Sequence, residues 1–133
     1  MLALIAMLTL APRAANRLGS AMKLAARNGN LVQLATLVQT VKPQPISLNP
    51  VLIEASSYGR IKVIQYLLAQ GADDYPGALV HASLRNQIQA VRYLLEHGDE
   101  HIDDQDLRMA RLAAGSADST EAEFYLHVQL MHH

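Results

Sequence analysis

Apolar and polar residues recur in two similar blocks near the middle of the chain. The first block, from Gly59 to Asp73, reads GRIKVIQYLLAQGAD, and the second, from Asn86 to Glu100, reads NQIQAVRYLLEHGDE and begins 27 residues later. In both blocks the apolar residues return every three or four positions, which is the period of an α-helix rather than of a strand. Self-similarity at a fixed period of about 20 to 50 residues indicates a stacked repeat architecture.

A five-residue pattern, here called the pentad, precedes each block and repeats along the chain. Its copies are Ala25–Gly29, Ala55–Gly59, Ala82–Asn86 and, less clearly, Ala113–Ala117. The spacings between successive copies are 30, 27 and 31 residues. Glycine at the end of a pentad permits a left-handed turn. Each unit is therefore expected to contain two short helices joined by a tight turn.

Residues that favour helix starts lie before several of the predicted helices. Asn49–Pro50 is such a pair, because Asn caps free backbone amides and Pro suits the first helical turn. Ser20 and Tyr75–Pro76 occupy comparable positions. Thr120 with Glu123 predicts a capping box at the start of the last helix.

The pattern resembles the ankyrin repeat family. The resemblance is carried by the Ala-x-x-x-Gly pentads and by the run Ile-x-Val-Ile-x-Tyr-Leu-Leu-x-x-Gly-Ala-Asp at residues 61–73. It covers roughly residues 20–126 and is strongest in the second unit. The Thr-Pro-Leu-His start of the family is replaced by Pro-Val-Leu-Ile at residues 50–53 and by Gly-Ala-Leu-Val at residues 77–80.

The resemblance implies an all-α, ankyrin-like helical-repeat solenoid of about four helix-turn-helix units in a single domain. An apolar N-terminal capping helix is expected at residues 1–18, followed by units at 19–46, 47–73, 74–100 and 101–130, the last a cap. Ankyrin units typically repeat at about 33 residues, a β-turn plus two helices. The 27-residue spacing leaves out the residues of the projecting β-hairpin. We therefore predict shortened or absent β-hairpin fingers.

Composition narrows the class of protein further. Half of the residues are apolar and none is Cys, which excludes disulfide and thiolate–metal chemistry and gives no sign of an oxidising compartment. A cytoplasmic location is expected, or the host cytosol for a secreted bacterial or viral effector. The N-terminal stretch MLALIAMLTLAP is too short to span a membrane and lacks the basic start of a signal peptide. It is expected to cover the first repeat or to pack against a second copy of the chain.

Charge is distributed unevenly along the sequence. Residues 1–53 carry a net charge of +5 and residues 54–133 a net charge of −6. Such an asymmetry can steer a partner or favour head-to-tail self-association, although ordinary solvation of two surfaces explains it equally well. Nucleic-acid binding is not expected, since the cations are spread out and lack interleaved aromatic residues.

Three groups of residues in the sequence could in principle carry chemistry. The acidic run Asp99–Asp106 lacks the central Gly and the bidentate Glu of an EF-hand, so it is interpreted as a loop in which Asp103 or Asp104 caps the next helix. His97 and His101 have a zinc-like spacing, but Gly98 is expected to end the helix between them. No Ser lies in a Gly-x-Ser-x-Gly elbow, and no phosphate-binding Gly-rich loop is present. We therefore predict no catalytic residue, no metal and no cofactor.

The resemblance to ankyrin repeats implies recognition of another protein through the concave face of the stack. It also implies that the variable contact positions are the two residues before the last residue of each pentad: Arg27, Asn28, Ser57, Tyr58, Leu84, Arg85, Gly115 and Ser116. Among these, Tyr58, Leu84 and Arg85 would form an amphipathic strip, and Tyr and Arg are enriched in binding hot spots. Alternatively, Tyr58 and Leu84 only cover adjacent helices. A homo-oligomer built on the apolar N-terminal helix is the alternative function.

Overall fold

The computed structural model describes residues 17–40 and 47–132, and these residues form short helices joined by tight turns. The first helix, α1, enters the described chain at residue 17 and ends at residue 27. The others are α2 (Leu31–Thr40), α3 (Asn49–Ser57), α4 (Ile61–Ala69), α5 (Tyr75–Leu84), α6 (Ile88–His97), α7 (Asp104–Ser116) and α8 (Thr120–Met131). No strand occurs within the two described ranges. The predicted all-α repeat fold is confirmed.

The helices form four units, each with an inner and an outer helix. Inner helices α3, α5 and α7 pack against one another in a row, and each packs against the outer helix that follows it in the chain. The outer helices α4, α6 and α8 form a second row with fewer contacts. Unit 1 is α1–α2, unit 2 is α3–α4, unit 3 is α5–α6 and unit 4 is α7–α8.

Small residues allow the inner helices to approach closely. The first residue of every pentad is a fully buried alanine: Ala25, Ala55, Ala82 and Ala114. The next residue is a buried serine in units 2 and 3, where Ser56 and Ser83 donate hydrogen bonds of 2.7 Å to the carbonyls of Leu52 and Leu79. A buried hydroxyl with a partner avoids the cost of desolvation. These serines therefore have a packing role.

One left-handed turn joins the two helices of every unit. The turn residue has a positive φ in each case: Gly29 at 70°, Gly59 at 67°, Asn86 at 56° and Asp118 at 56°. The amide of the residue that follows donates to the carbonyl of the buried alanine over 2.8–2.9 Å. Asn and Asp adopt positive φ more readily than other non-glycine residues, so the turn persists in the two units that lack glycine.

The turn corrects the sequence register of the fourth unit. The sequence placed its pentad at Ala113–Ala117, but the left-handed residue is Asp118 and the buried alanine is Ala114. The pentad of unit 4 is therefore residues 114–118. The error has a simple cause, because two adjacent alanines fit the first position and aspartate does not resemble the glycine expected at the last.

Asn49 does not cap its own helix, contrary to the sequence prediction. The N-cap of α3 is Leu48, and it makes no side-chain capping bond. The Asn49 amide oxygen instead accepts hydrogen bonds from the backbone amides of Asp73 and Asp74, at 2.9 and 3.2 Å. Its amide nitrogen donates to the Asp73 carboxylate over 3.0 Å. Asn49 thus fastens the linker between α4 and α5, where the prediction of no β-hairpin finger is confirmed.

The predicted start at Ser20 is also wrong, because α1 already includes residues 17–19. Leu18 packs against the core, which favours the longer helix. Residues 1–16 lie outside the described residues, so the N-terminal capping helix at 1–18 stays a prediction, and residues 17 and 18 belong to α1. The prediction that Asp103 caps α7 is confirmed, in a capping box with Asp106.

At α8 the predicted capping box between Thr120 and Glu123 is absent. The N-cap is Ser119, whose hydroxyl donates instead to the carbonyl of Leu84 over 2.8 Å. The Asn86 side chain accepts a hydrogen bond of 3.0 Å from the Ala122 amide in the first turn of α8. Unit 3 therefore caps the outer helix of unit 4, and the two bonds fix how the units stack.

The exposed end of unit 4 carries charge where other units are apolar. Aligned by the turn residue, Arg111 stands where unit 3 has the fully buried Leu79, and Glu123 stands where it has the fully buried Val91. Both charged residues line an open groove at the end of the stack, beside Gly115. A terminal repeat needs a polar outer face because no neighbour covers it, which supports the capping role expected for this unit.

Substitutions at the two non-glycine turn residues measure how much the hydrogen bond between Asn86 and the Ala122 amide stabilises the stack. Asn86→Ala places at the turn a residue that adopts positive φ less readily, which should lower the free energy of unfolding by about 1 kcal/mol. It also leaves the Ala122 amide without its acceptor, which should lower it by about another 1–3 kcal/mol. Asp118→Ala removes only the first, since the Asp118 side chain has no hydrogen bond among the described residues. Urea unfolding should show a loss of about 2–4 kcal/mol for Asn86→Ala and about 1 kcal/mol for Asp118→Ala. Equal losses would contradict a stabilising bond between the units.

Candidate functional site

The predicted contact residues lie along one edge of the stack, where the inner helices end. We call this the turn edge and define it as residues 27–30, 57–60, 84–87 and 116–119, which contain the four left-handed turns. Because every unit places its turn at the same level, side chains from successive units become neighbours there. The edge is therefore a continuous row and not a set of separate loops.

Tyr58 stands at the centre of this row. It follows the last residue of α3 and is partly buried. The guanidinium carbon of Arg27, from unit 1, lies 5.4 Å from the Tyr58 ring centroid, and that of Arg85, from unit 3, also lies 5.4 Å away. Both distances are within the range of a cation–π interaction. The structure thus brings three of the predicted residues together across three units.

The two arginines differ in their other contacts. Arg27 pairs with Glu54 of α3, with its Nη2 atom 2.8 Å from the carboxylate. Its Nε atom donates to the same oxygen over 2.9 Å. This hydrogen bond raises the pKa of Arg27 above its ordinary value, so the guanidinium stays charged. Arg85 has no carboxylate within ion-pair distance among the described residues.

The remaining predicted residues fall into an exposed and a buried group. Asn28 and Ser116 are exposed and Leu84 is partly buried. Ser57 is only 9% exposed, and its hydroxyl donates to the Ile53 carbonyl over 2.9 Å, so it offers little to a partner. With the corrected register, Ser116 moves from the second to the first contact position of unit 4, Ala117 takes the second, and Gly115 holds neither.

A row of side chains next to the turn edge was missed from the sequence. It consists of the residues six positions before each turn residue: Lys23, Ile53, Val80 and Leu112. Lys23 is exposed, Ile53 and Val80 are partly buried, and Leu112 is 68% exposed. Counting back from the turns along the helical period would have found this row. Three of its four members are apolar, and the row lies between one and two helical turns before the turn residues.

The structure shows no arrangement of residues suited to metal binding or membrane crossing in its described part. Among the described residues no three His, Asp or Glu side chains are placed to hold a metal ion. His97 stacks on Tyr93 at 4.0 Å and His101 stacks on Tyr75 at 4.8 Å, and α6 ends between the two histidines, as predicted. No helix in the described ranges combines the length and apolar character needed to cross a membrane.

Comparison with known proteins gives a match to a family model. A family model described as ankyrin repeats, in three copies, matches residues 22–106. This range holds the second half of α1, all of α2, units 2 and 3 in full, and the start of α7. Comparison with curated proteins and with solved structures gave no match.

The position of Tyr58 at the edge predicts that its side chain can be removed without unfolding the stack. Tyr58→Ala should cost about 1 kcal/mol, the typical cost of a point mutation. Leu52→Ala, at a fully buried position of α3, should cost about 2–5 kcal/mol because it leaves a cavity. Circular dichroism and thermal unfolding of both variants measure the difference. A loss for Tyr58→Ala as large as that for Leu52→Ala would mean that Tyr58 only holds the fold together.

Proposed function

The chain belongs to the ankyrin repeat family, and on that premise we propose that it binds a partner protein through the turn edge and the adjoining exposed face of the inner helices. Ankyrin repeats are generally protein–protein interaction modules, and the family is typically non-catalytic. In the proposed complex, this surface is the concave face of the stack. The partner is another protein.

The cluster of Arg27, Tyr58 and Arg85 is the observation that carries this proposal. Hot spots in protein interfaces are enriched in Tyr and Arg and lie beside apolar contacts that exclude water. Tyr58 remains partly exposed although two arginines flank it. Leu84, Ile53 and Val80 continue the surface as partly exposed apolar side chains. A surface that only covered the neighbouring helices would not need a charged and aromatic cluster at its centre.

Self-association is the second candidate function, and one observation favours it. Four large apolar side chains of unit 4 are at least half exposed: Met109, Leu112, Phe124 and Met131. Exposed apolar groups that form a contiguous patch often mark an interaction surface. The apolar N-terminal segment on which this function was first based lies almost entirely outside the described residues.

Replacing Tyr58, Leu84 and Arg85 together by Ala tests the proposed function. The triple variant should lose binding by at least about 100-fold, because each hot-spot residue is worth about 1–2 kcal/mol or more. Quantitative mass spectrometry of proteins captured from a lysate provides the measurement. It should be run on the unaltered chain, the triple variant and a control with Gln65, Gln89 and Arg92 replaced by Ala, three exposed positions on the outer helices.

Equal capture by the triple variant and the unaltered chain would rule out this surface. The control variant should capture the same proteins as the unaltered chain, with circular dichroism confirming that all three are folded. Light scattering of the purified, unaltered chain over a dilution series tests the second candidate function.

A molecular mass that stays at that of one chain at every concentration would exclude self-association.

A further inference from the structure

We propose that the partner segment that docks on the turn edge of units 1 to 3 is acidic, with carboxylates that pair with the arginines beside Tyr58. This inference rests on the proposed function and names the chemical class of the partner. It does not follow from the net charge of the chain, which is −1. It follows from the separation of basic and acidic residues between the two edges of the stack.

Cations collect on the turn edge of the first three units. Three basic residues, Arg27, Arg60 and Arg85, lie on it. A fourth, Lys62 at the start of α4, lines the same groove as Gly59 and Arg60. Arg60 is held in place by a hydrogen bond of 2.8 Å from its Nε atom to the Arg27 carbonyl. Glu54 is the nearby acid that the structure pairs with a cation, and its partner is Arg27. The edge therefore keeps an excess of positive charge.

Acids collect on the opposite edge, where the inner helices begin. Seven lie there in units 2 to 4: Asp73, Asp74, Asp99, Glu100, Asp103, Asp104 and Asp106. Asp74 accepts a hydrogen bond from the Gly77 amide, and Asp103 accepts one from the Asp106 amide. Carboxylates are favoured at helix N-termini by the free amides and the helix dipole. The fold itself therefore accounts for their position on this edge.

The length of the inner helices decides which charge a partner meets. α3 has 9 residues and α5 has 10, so the two edges are about 15 Å apart at 1.5 Å per residue. The Debye length is about 8 Å at physiological ionic strength. The acids are thus largely screened from the turn edge. A partner that approaches Tyr58 meets the arginines and not the net charge of the chain.

Unit 4 sets a limit to the basic surface. Its turn residue is Asp118, and Glu121 follows in the first turn of α8. Carboxylates of a partner would be repelled there, so an acidic segment is confined to units 1 to 3. Ile53 and Val80, which stand five residues before Tyr58 and Arg85 respectively, are apolar and partly exposed, which suits a peptide with an apolar residue near its acids. The phosphate backbone of a nucleic acid would make no favourable contact with these apolar side chains.

Selection from a library of random 12-residue peptides displayed on phage tests the inference. Peptides selected on the unaltered chain should be enriched in Asp and Glu next to an apolar residue. Their affinity should fall at least about tenfold between about 50 and about 500 mM salt, because the pairs are screened. Arg85→Glu should weaken them by at least about tenfold, since a repulsive pair replaces an attractive one. Arg108→Glu makes the same charge change in α7 and should alter affinity by less than about twofold.

The outcomes separate the inference from the proposed function. Selected peptides that are neutral or basic, yet lose binding with Tyr58→Ala, would overturn the acidic partner and leave the turn edge as the binding surface. Peptides that bind equally well to Tyr58→Ala would overturn both. Displacement of the peptides by an oligothymidylate of 12 nucleotides at the same concentration would also overturn the inference. It would mean that the turn edge prefers phosphate to carboxylate.

Discussion

Close packing between the inner helices is the constraint on which the rest of the structure depends. Fully buried alanines start every pentad, and the buried serines of units 2 and 3 satisfy their hydroxyls within their own helices. A larger side chain in this row would push two units apart, since cores are packed to crystal density. The row fixes each unit at the same height as its neighbours. The left-handed turns then fall in line, and the turn edge becomes one surface.

Side-chain hydrogen bonds connect the units in place of β-hairpins. Asn49 holds the short linker that follows α4, and Asn86 with Ser119 joins units 3 and 4. Such bonds join neighbouring units only, as expected in a solenoid, whose stability comes from adjacent interfaces. The edge where the inner helices begin has short, acidic linkers, so aromatic, basic and apolar side chains meet at the turn edge instead.

Much of the fold was predictable because its signals are local. Gly29 and Gly59 marked their turns correctly, and the 27-residue spacing predicted the missing finger. Errors at the helix starts arose where the hydrogen-bond partner of a side chain lies far away in the sequence. The sequence placed Asn49 as a cap of its own helix, whereas its partners are 24 and 25 residues away. The sequence did not identify Asp118 as a turn residue, because glycine occupies this position in units 1 and 2.

The arrangement of the candidate site was predictable only in part, for a similar physical reason. The pentads pointed to Tyr58 and Arg85, but the contact of both arginines with one ring depends on the stacking distance between units. The pentad pattern also predicts Ser57 as a contact residue, whereas its hydroxyl donates to the Ile53 carbonyl of its own helix. The separation of charge between the two edges also needed the structure, since the sequence shows only a change from one end of the chain to the other.

Hydrogen–deuterium exchange of the chain with and without a saturating selected peptide tests most directly whether the turn edge is the recognition surface. Binding there should slow exchange at residues 57–61 and 84–88 and leave residues 99–106 unchanged. Slower exchange confined to residues 99–106 or to α8 would contradict it and would place recognition on the acidic edge or on the end of the stack.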